Sequence, residues 1–342
     1  MTAAPSHLGI LPRQAIVRLI DDGAIVLETA PADGQLQPAS IDLRLGAKAF
    51  RIRASFLPQP GETIAGKLAD LVLHEFDLTG SAVLETGCVY LVPLLESLAL
   101  PGDLAATANP KSSTGRLDVF TRVIADGVPA FDQMPAGYRG KLYAEICPQT
   151  FPIVVRTGSR LSQVRFRRGP QPDGRARVVD LSVDLSSQTD GLIGYRAKRH
   201  TGVIDLDKPG AYDTAEFWEP IHQGKGPGRL ILDPNQFYIL ASKEAVTVPP
   251  DEAAEMVPFN PLVGEFRVHY AGFFDPGFGM SGKGARAVLE VRSHTVPFIL
   301  EHGQTIGRLV YEPMTERPDA LYGAGLGSNY QGQGLKLGKH FK

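Results

Sequence analysis

Apolar residues in this chain come in short runs, not in long helical stretches: IDLRLG (41–46), VYLVPLL (89–95), KLYAEI (141–146), RLSQVRF (160–166), FYILAS (237–242), AVLEV (287–291) and TIGRLVY (305–311). Turn residues separate them, with 37 glycines and 27 prolines in 342 positions. Short runs bounded by Gly and Pro are the pattern of strands, so the chain reads as mainly β with few short helices. One helix is predicted, over Pro12 to Asp22. It has Pro at its start, Ile16, Leu19 and Ile20 at helical spacing, and Gly23 just beyond.

The pattern occurs twice. YLVPLLESLALPGD (90–103) and YILASKEAVTVPPD (238–251) align without a gap, and EICPQTFPIVVRTGSRLSQVRF (145–166) aligns with EVRSHTVPFILEHGQTIGRLVY (290–311). SIDL at Ser40 is echoed by SVDL at Ser182. Two copies of one β-rich unit are therefore expected, at 1–170 and 176–342, joined through the polar stretch RRGPQPDGRA (167–176).

Charge narrows the partners. A formal net charge of -2 argues against a nucleic-acid surface, so an anionic ligand must be met by a local cluster of Lys and Arg. No apolar run approaches membrane-span length and the N-terminus lacks a signal-peptide pattern, so the expected location is the cytoplasm. Cys88 and Cys147 are the only cysteines and read as small core residues. The histidines lack metal-ligand spacing and no Cys-x-x-Cys occurs, so no protein-bound zinc is expected. GFGMSG (277–282) matches Gly-x-Gly-x-x-Gly but precedes the strand-like RAVLEV, which reads as a turn and not a dinucleotide site.

The segment NPKSSTGR (109–116) carries candidate chemistry. Lys111 and Arg116 supply charge, Ser112, Ser113 and Thr114 supply hydroxyls, and Gly115 allows backbone to approach an anion closely. The order differs from a Walker A loop; a phosphate cradle and a plain polar turn both fit. The second copy does not preserve it: Leu262, Val263, Gly264 and Glu265 stand at the corresponding place. A second candidate is Glu145 in KLYAEI, a carboxylate among alternating apolar residues, where burial raises a pKa toward proton-transfer range.

Five segments taken together, LQPASIDLRLG (36–46), KSSTGRL (111–117), FDQMPAGYRGKLYAEI (131–146), GSRLSQVRF (158–166) and LYGAGLGSNYQGQG (321–334), resemble the dCTP deaminases, relatives of the trimeric dUTPases. The resemblance implies two tandem dUTPase-like distorted β-barrel (β-clip) units and a homo-oligomer, with a trimer favoured and active sites between subunits. It implies hydrolysis of dCTP to dUTP and ammonia without zinc, with Mg2+ arriving on the triphosphate. An alternative is a bifunctional enzyme that carries dCTP on to dUMP, and another is a nucleotide-binding regulator without turnover. On the resemblance, Lys111, Ser113, Thr114 and Gly115 bind triphosphate, Ser112, Arg116 and Glu145 are catalytic, and Asp132, Tyr143 and Ala144 meet the sugar and base. Gln163 matches a conserved-motif glutamine, and Tyr322 and Gln333 match a C-terminal lid. Only the first copy is expected to carry chemistry, with Glu290, the counterpart of Glu145, serving as scaffold.

Overall fold

Pro12 opens the predicted helix, which runs Arg13–Asp21 and buries Ala15, Ile16 and Leu19. Gly23, at φ +71°, ends it, and the Ala24 N–H reaches back to the Leu19 carbonyl at 2.8 Å. In this computed structural model residues 8–342 are described, apart from 172–175, 187–190, 225–227, 259–265, 269–271, 281, 294 and 324–333. A second helix, Ile64–Leu71, was not foreseen; it turns only Ile64 and Leu68 inward, too few positions for a clear helical period.

Strands dominate the remainder, in small antiparallel sheets. One sheet has the order Val119–Ala125, Arg139–Pro148, Val89–Ala99, Lys48–Ile52, Val72–Asp77. A later sheet has the order Phe266–Val268, Ala285–Ser293, Phe237–Val246, Leu192–Ala197, Trp218–His222. Gln133–Met134, Leu104–Pro110, Ser162–Arg168 and Ser40–Leu43 form a run matched in order by Phe273–Phe274, Glu252–Pro258, Thr305–Pro313 and Val178–Ser182. Register agrees with the alignment of the copies: Glu145 lies opposite Leu91, and Glu290 opposite Ile239.

Alternation then decides which core each strand feeds. In Phe237–Val246 and Ala285–Ser293, Tyr238, Leu240, Leu289 and Val291 join a cluster made only of second-half residues. Phe237, Ile239 and Val288 turn to the opposite face and join the main cluster of the first half. The halves therefore share a core. Polar links cross the same boundary: Arg167 grips Glu312 through two hydrogen bonds of 2.6 Å, and Arg165 reaches Asp275 at 3.1 Å and the Ala254 carbonyl at 3.0 Å. Removing one partner of such a buried pair costs about 3–5 kcal/mol, so these contacts fix one docking register.

Residues 277–280 and 282–283 form turns ahead of the strand Ala285–Ser293. Gly277 has φ +93°, and a Cβ there would lie 2.9 Å from Leu321 Cβ, so only glycine lets the tail cross at this point. Cys88 and Cys147 are half-buried near strand ends, and of the two Cys88 packs against the main core. Among the described residues no helix is long and apolar enough to cross a membrane.

Candidate functional site

The segment expected to cradle phosphate folds as a single helical turn, Ser112–Gly115. Its geometry is set from both ends. The Lys111 N–H donates to the Leu161 carbonyl at 2.8 Å, and the Thr114 hydroxyl donates to the same carbonyl at 2.8 Å. The Lys111 ammonium pairs with the buried carboxylate of Asp42, which Arg160 also approaches at 3.5 Å. Ser113, Thr114, Gly115 and Arg116 are buried, whereas Lys111 and Ser112 are half-exposed.

Beside this turn lies a cavity lined by Lys111, Ser113, Thr114, Arg160, Lys339 and His340. Burial, and then the charges of Lys111 and Arg160, push the Lys339 ammonium below its ordinary pKa. Three cations share the recess with the Asp207 carboxylate that also lines it and with Asp42 behind Lys111, an excess of positive charge that favours entry of an anion. Burial holds His340 at about 4, so it is neutral, and its Nε2–H donates to the Leu206 carbonyl at 3.1 Å. Sequence reasoning missed Arg160, Lys339 and His340; the available signal was the basic terminus KHFK following a polar, glycine-rich stretch.

The end of the chain is packed, not loose. Arg116 Nη1 donates to the Lys336 and Leu337 carbonyls at 3.0 and 3.4 Å, Leu337 belongs to the main core, and Phe341 packs on Phe217 and Trp218. These anchored residues lie beyond Tyr322 and Gln333, the two positions that the resemblance gives to a lid. Tyr322 itself docks on the Gly277 turn, its N–H bonded to the Pro276 carbonyl at 2.8 Å and its ring 5.6 Å from Phe278. Gln333 and the second-copy residues 262–265 lie outside the described residues.

Glu145 is 2% exposed, and its Oε1 accepts a 2.8 Å hydrogen bond from Arg122, the residue directly across the sheet. Phe120 and Phe131 cover that guanidinium at 4.5 and 3.5 Å. Tyr143 shares this face of the strand, where it joins Ile64 and Leu68 of the second helix, while Ala144 turns to the main core. Asp132 takes the left-handed conformation at φ +60°, and its Oδ1 accepts from the Val123 N–H at 2.7 Å. Burial raises its carboxyl to about 7. Gln163 is buried beside the phosphate-type turn, accepting from the Ser40 hydroxyl at 3.3 Å and donating to the Pro110 carbonyl at 3.5 Å.

The structure thus joins Lys111, Ser113, Thr114 and Gln163 around one end of the first half, but Glu145 lies elsewhere. Val119 pairs with Pro148 at the start of the strand, three residues before Arg122 pairs with Glu145. At about 3.3 Å per residue, that is roughly 10 Å of strand between Val119, which itself follows the turn, and the Arg122–Glu145 pair. The carboxylate whose field reaches Arg116 is Glu290. Like Glu145 it is 2% exposed with an Oε2 that has no hydrogen-bond partner, and burial raises its pKa well above the ordinary carboxylate range.

Known proteins provide an independent comparison. The family model described as the 2'-deoxycytidine 5'-triphosphate deaminase (DCD) N-terminal domain matches residues 7–170, and that for the C-terminal domain matches 161–341. A crystal structure of 2'-deoxycytidine 5'-triphosphate deaminase from Agrobacterium tumefaciens is 58% identical, covers 90% of this chain and 99% of its own, and superposes with a TM-score of 0.86. A dCTP deaminase of Halorubrum lacusprofundi is 31% identical over 174 residues, 50% of this chain and 83% of its own length. A "dCTP deaminase, dUMP-forming" of Methanosphaera stadtmanae is 26% identical over 170 residues, 48% of this chain and 82% of its own.

Proposed function

The chain belongs to the 2'-deoxycytidine 5'-triphosphate deaminase family, and we propose that it converts dCTP and water to dUTP and ammonia. The observation that carries this reading is the Lys111–Arg116 turn, with its adjoining cationic cavity, set against a buried strand carboxylate. The cavity receives the triphosphate, with its Mg2+ as part of the substrate. Water adds at C4 of the cytosine; a strand glutamate takes its two protons in turn, delivering the first to N3 and the second to the departing amine, and ammonia leaves as C4=O forms. Ser112 and Arg116 hold the water and the developing charge.

The rest of the assignment belongs to the same proposal. Two tandem barrel-like units, 1–170 and 176–342, carry the site, and the repeated strand order supports that division. On the resemblance Asp132, Tyr143 and Ala144 meet the sugar and base, Glu145 is the proton-transfer residue, and Tyr322 and Gln333 close over the phosphates. A homo-oligomer, with a trimer favoured, and a place in the cytoplasm complete it.

Incubation with dCTP and Mg2+ tests the reaction, with ammonia and nucleotide products measured together. Stoichiometric ammonia and dUTP are expected. Product dUMP with pyrophosphate would establish the bifunctional reading, which the dUMP-forming relative favours. Tight dCTP binding without ammonia would mark a binding module and overturn the proposal.

Lys339 supplies a further test. A triphosphate in the cavity accepts a charge-assisted hydrogen bond from the Lys339 ammonium, worth about 1.5–3 kcal/mol net. Lys339→Met therefore weakens dCTP binding roughly tenfold or more, measured by calorimetry under non-turnover conditions. An unchanged Kd would remove Lys339 from the phosphate site.

A further inference from the structure

We infer that the carboxylate serving the Lys111–Arg116 turn is Glu290 of the second half of the same chain, so that one active site is assembled within a single polypeptide from both copies. The inference rests on the deamination reading above and concerns which residues meet.

Strand geometry places Glu290. Val288, Glu290 and Arg292 are alternate residues of Ala285–Ser293 and project from one face. Val288 enters the core of the first half. Arg292 pairs with the Asp118 carboxylate and donates to the Thr150 hydroxyl at 3.0 Å. Asp118 lies two residues after Arg116, at the foot of the turn. Glu290, between Val288 and Arg292, is thereby directed at the first half beside Arg116, with Ile239 opposite it in register on the same face.

The surroundings of the two glutamates differ in the way a proton carrier requires. Glu145 is neutralised inside its own half by Arg122, which Phe120 and Phe131 sandwich, and its face of the sheet is covered by the Ile64–Leu71 helix. Both glutamates carry a buried Oε2 without a hydrogen-bond partner, but among the described residues no ion pair holds Glu290, and the charges acting on it are Arg116 and Asp118 of the first half. A carboxyl beside a hydroxyl-bearing turn can take a proton from a water and return it to an amine; Glu145, held by Arg122 along its own strand, does not stand beside that turn. The copy that lost the cradle thus keeps the acid–base group, and the copy that kept the cradle lends it.

Ammonia release from dCTP by the full-length protein, together with calorimetric dCTP binding, tests this. Wild-type turnover must be present, and its absence would count against the deamination reading. With wild type active, Glu290→Gln lowers kcat by about 10²–10⁴-fold while Kd stays within a few-fold. A Glu290→Gln protein within threefold of wild type, with the loss falling on Glu145→Gln instead, overturns the inference. Coexpression of Arg116→Ala and Glu290→Gln chains tests whether the site lies within one chain: no recovery of activity is expected, and recovery in mixed oligomers overturns it. A third readout is thermal. Between the unfolded and folded pKa values the native state holds a proton the unfolded chain has lost, so the wild-type carboxyl subtracts stability progressively as pH rises above about 4.5. Glu290→Gln lacks that loss, and its Tm relative to wild type rises with pH; parallel Tm curves would contradict the burial of this carboxyl.

Discussion

Arg116→Ala lowers kcat for dCTP deamination by about 10²–10³-fold, the range found when one preorganised donor to developing charge is removed. Two roles meet in this guanidinium. It faces the Glu290 carboxyl across the boundary of the copies, and its Nη1 ties down the Lys336 and Leu337 carbonyls at 3.0 and 3.4 Å. Arg116→Lys separates them, because an ammonium keeps the charge but cannot span both carbonyls and the reacting centre with a planar fork. The lysine variant is expected between alanine and wild type in kcat. Equal activity of the lysine variant and wild type would reduce Arg116 to a simple point charge, and an active alanine variant would remove it from the mechanism.

Truncation after Gly334 produces the largest combined loss. The final eight residues bring Leu337 into the main core, stack Phe341 on Phe217 and Trp218, bond His340 to the Leu206 carbonyl and place Lys339 in the anion cavity. Large-to-small changes at buried Leu or Phe cost about 2–5 kcal/mol each, so losing both anchors lowers Tm by roughly 10 °C or more. Activity falls at least 100-fold even below the lowered Tm, because Arg116 loses its carbonyl partners and the triphosphate loses a cation. A truncated protein with wild-type melting and only reduced turnover would show the terminus to be a detachable lid. Differential scanning calorimetry beside the ammonia assay distinguishes the two.

Several features were legible before any coordinates. The short apolar runs became strands, and the helix at Arg13–Asp21 appeared where Pro12, the spacing of Ile16 and Leu19, and Gly23 placed it. The turn at 111–116 stood out because lysine, hydroxyls, glycine and arginine at close spacing are an unusual group whatever fold surrounds them. Arg160, Lys339 and His340 were not legible in the same way. Each reaches the cavity through a different element, and no sequence spacing connects position 160 to position 339.

The two glutamates show where the boundary lies. The sequence by itself determined that the chain is β-rich, that a β-rich pattern recurs, that one copy holds the cationic turn, and that each copy holds a strand glutamate, because composition and period-two patterning are local properties. It placed the chemistry on Glu145 and left Glu290 as scaffold, because the cationic turn stands in the copy of Glu145, although both glutamates stand in apolar strands at matching positions. Only the tertiary structure set their surroundings apart: Arg122 comes to lie across the sheet from Glu145, and the docking of the halves directs the Val288–Arg292 face onto Asp118 and Arg116. The physical reason is that charge neutralisation and desolvation depend on which groups approach within a few ångströms, and that distance is decided by packing between segments 174 residues apart, as in Arg292 and Asp118.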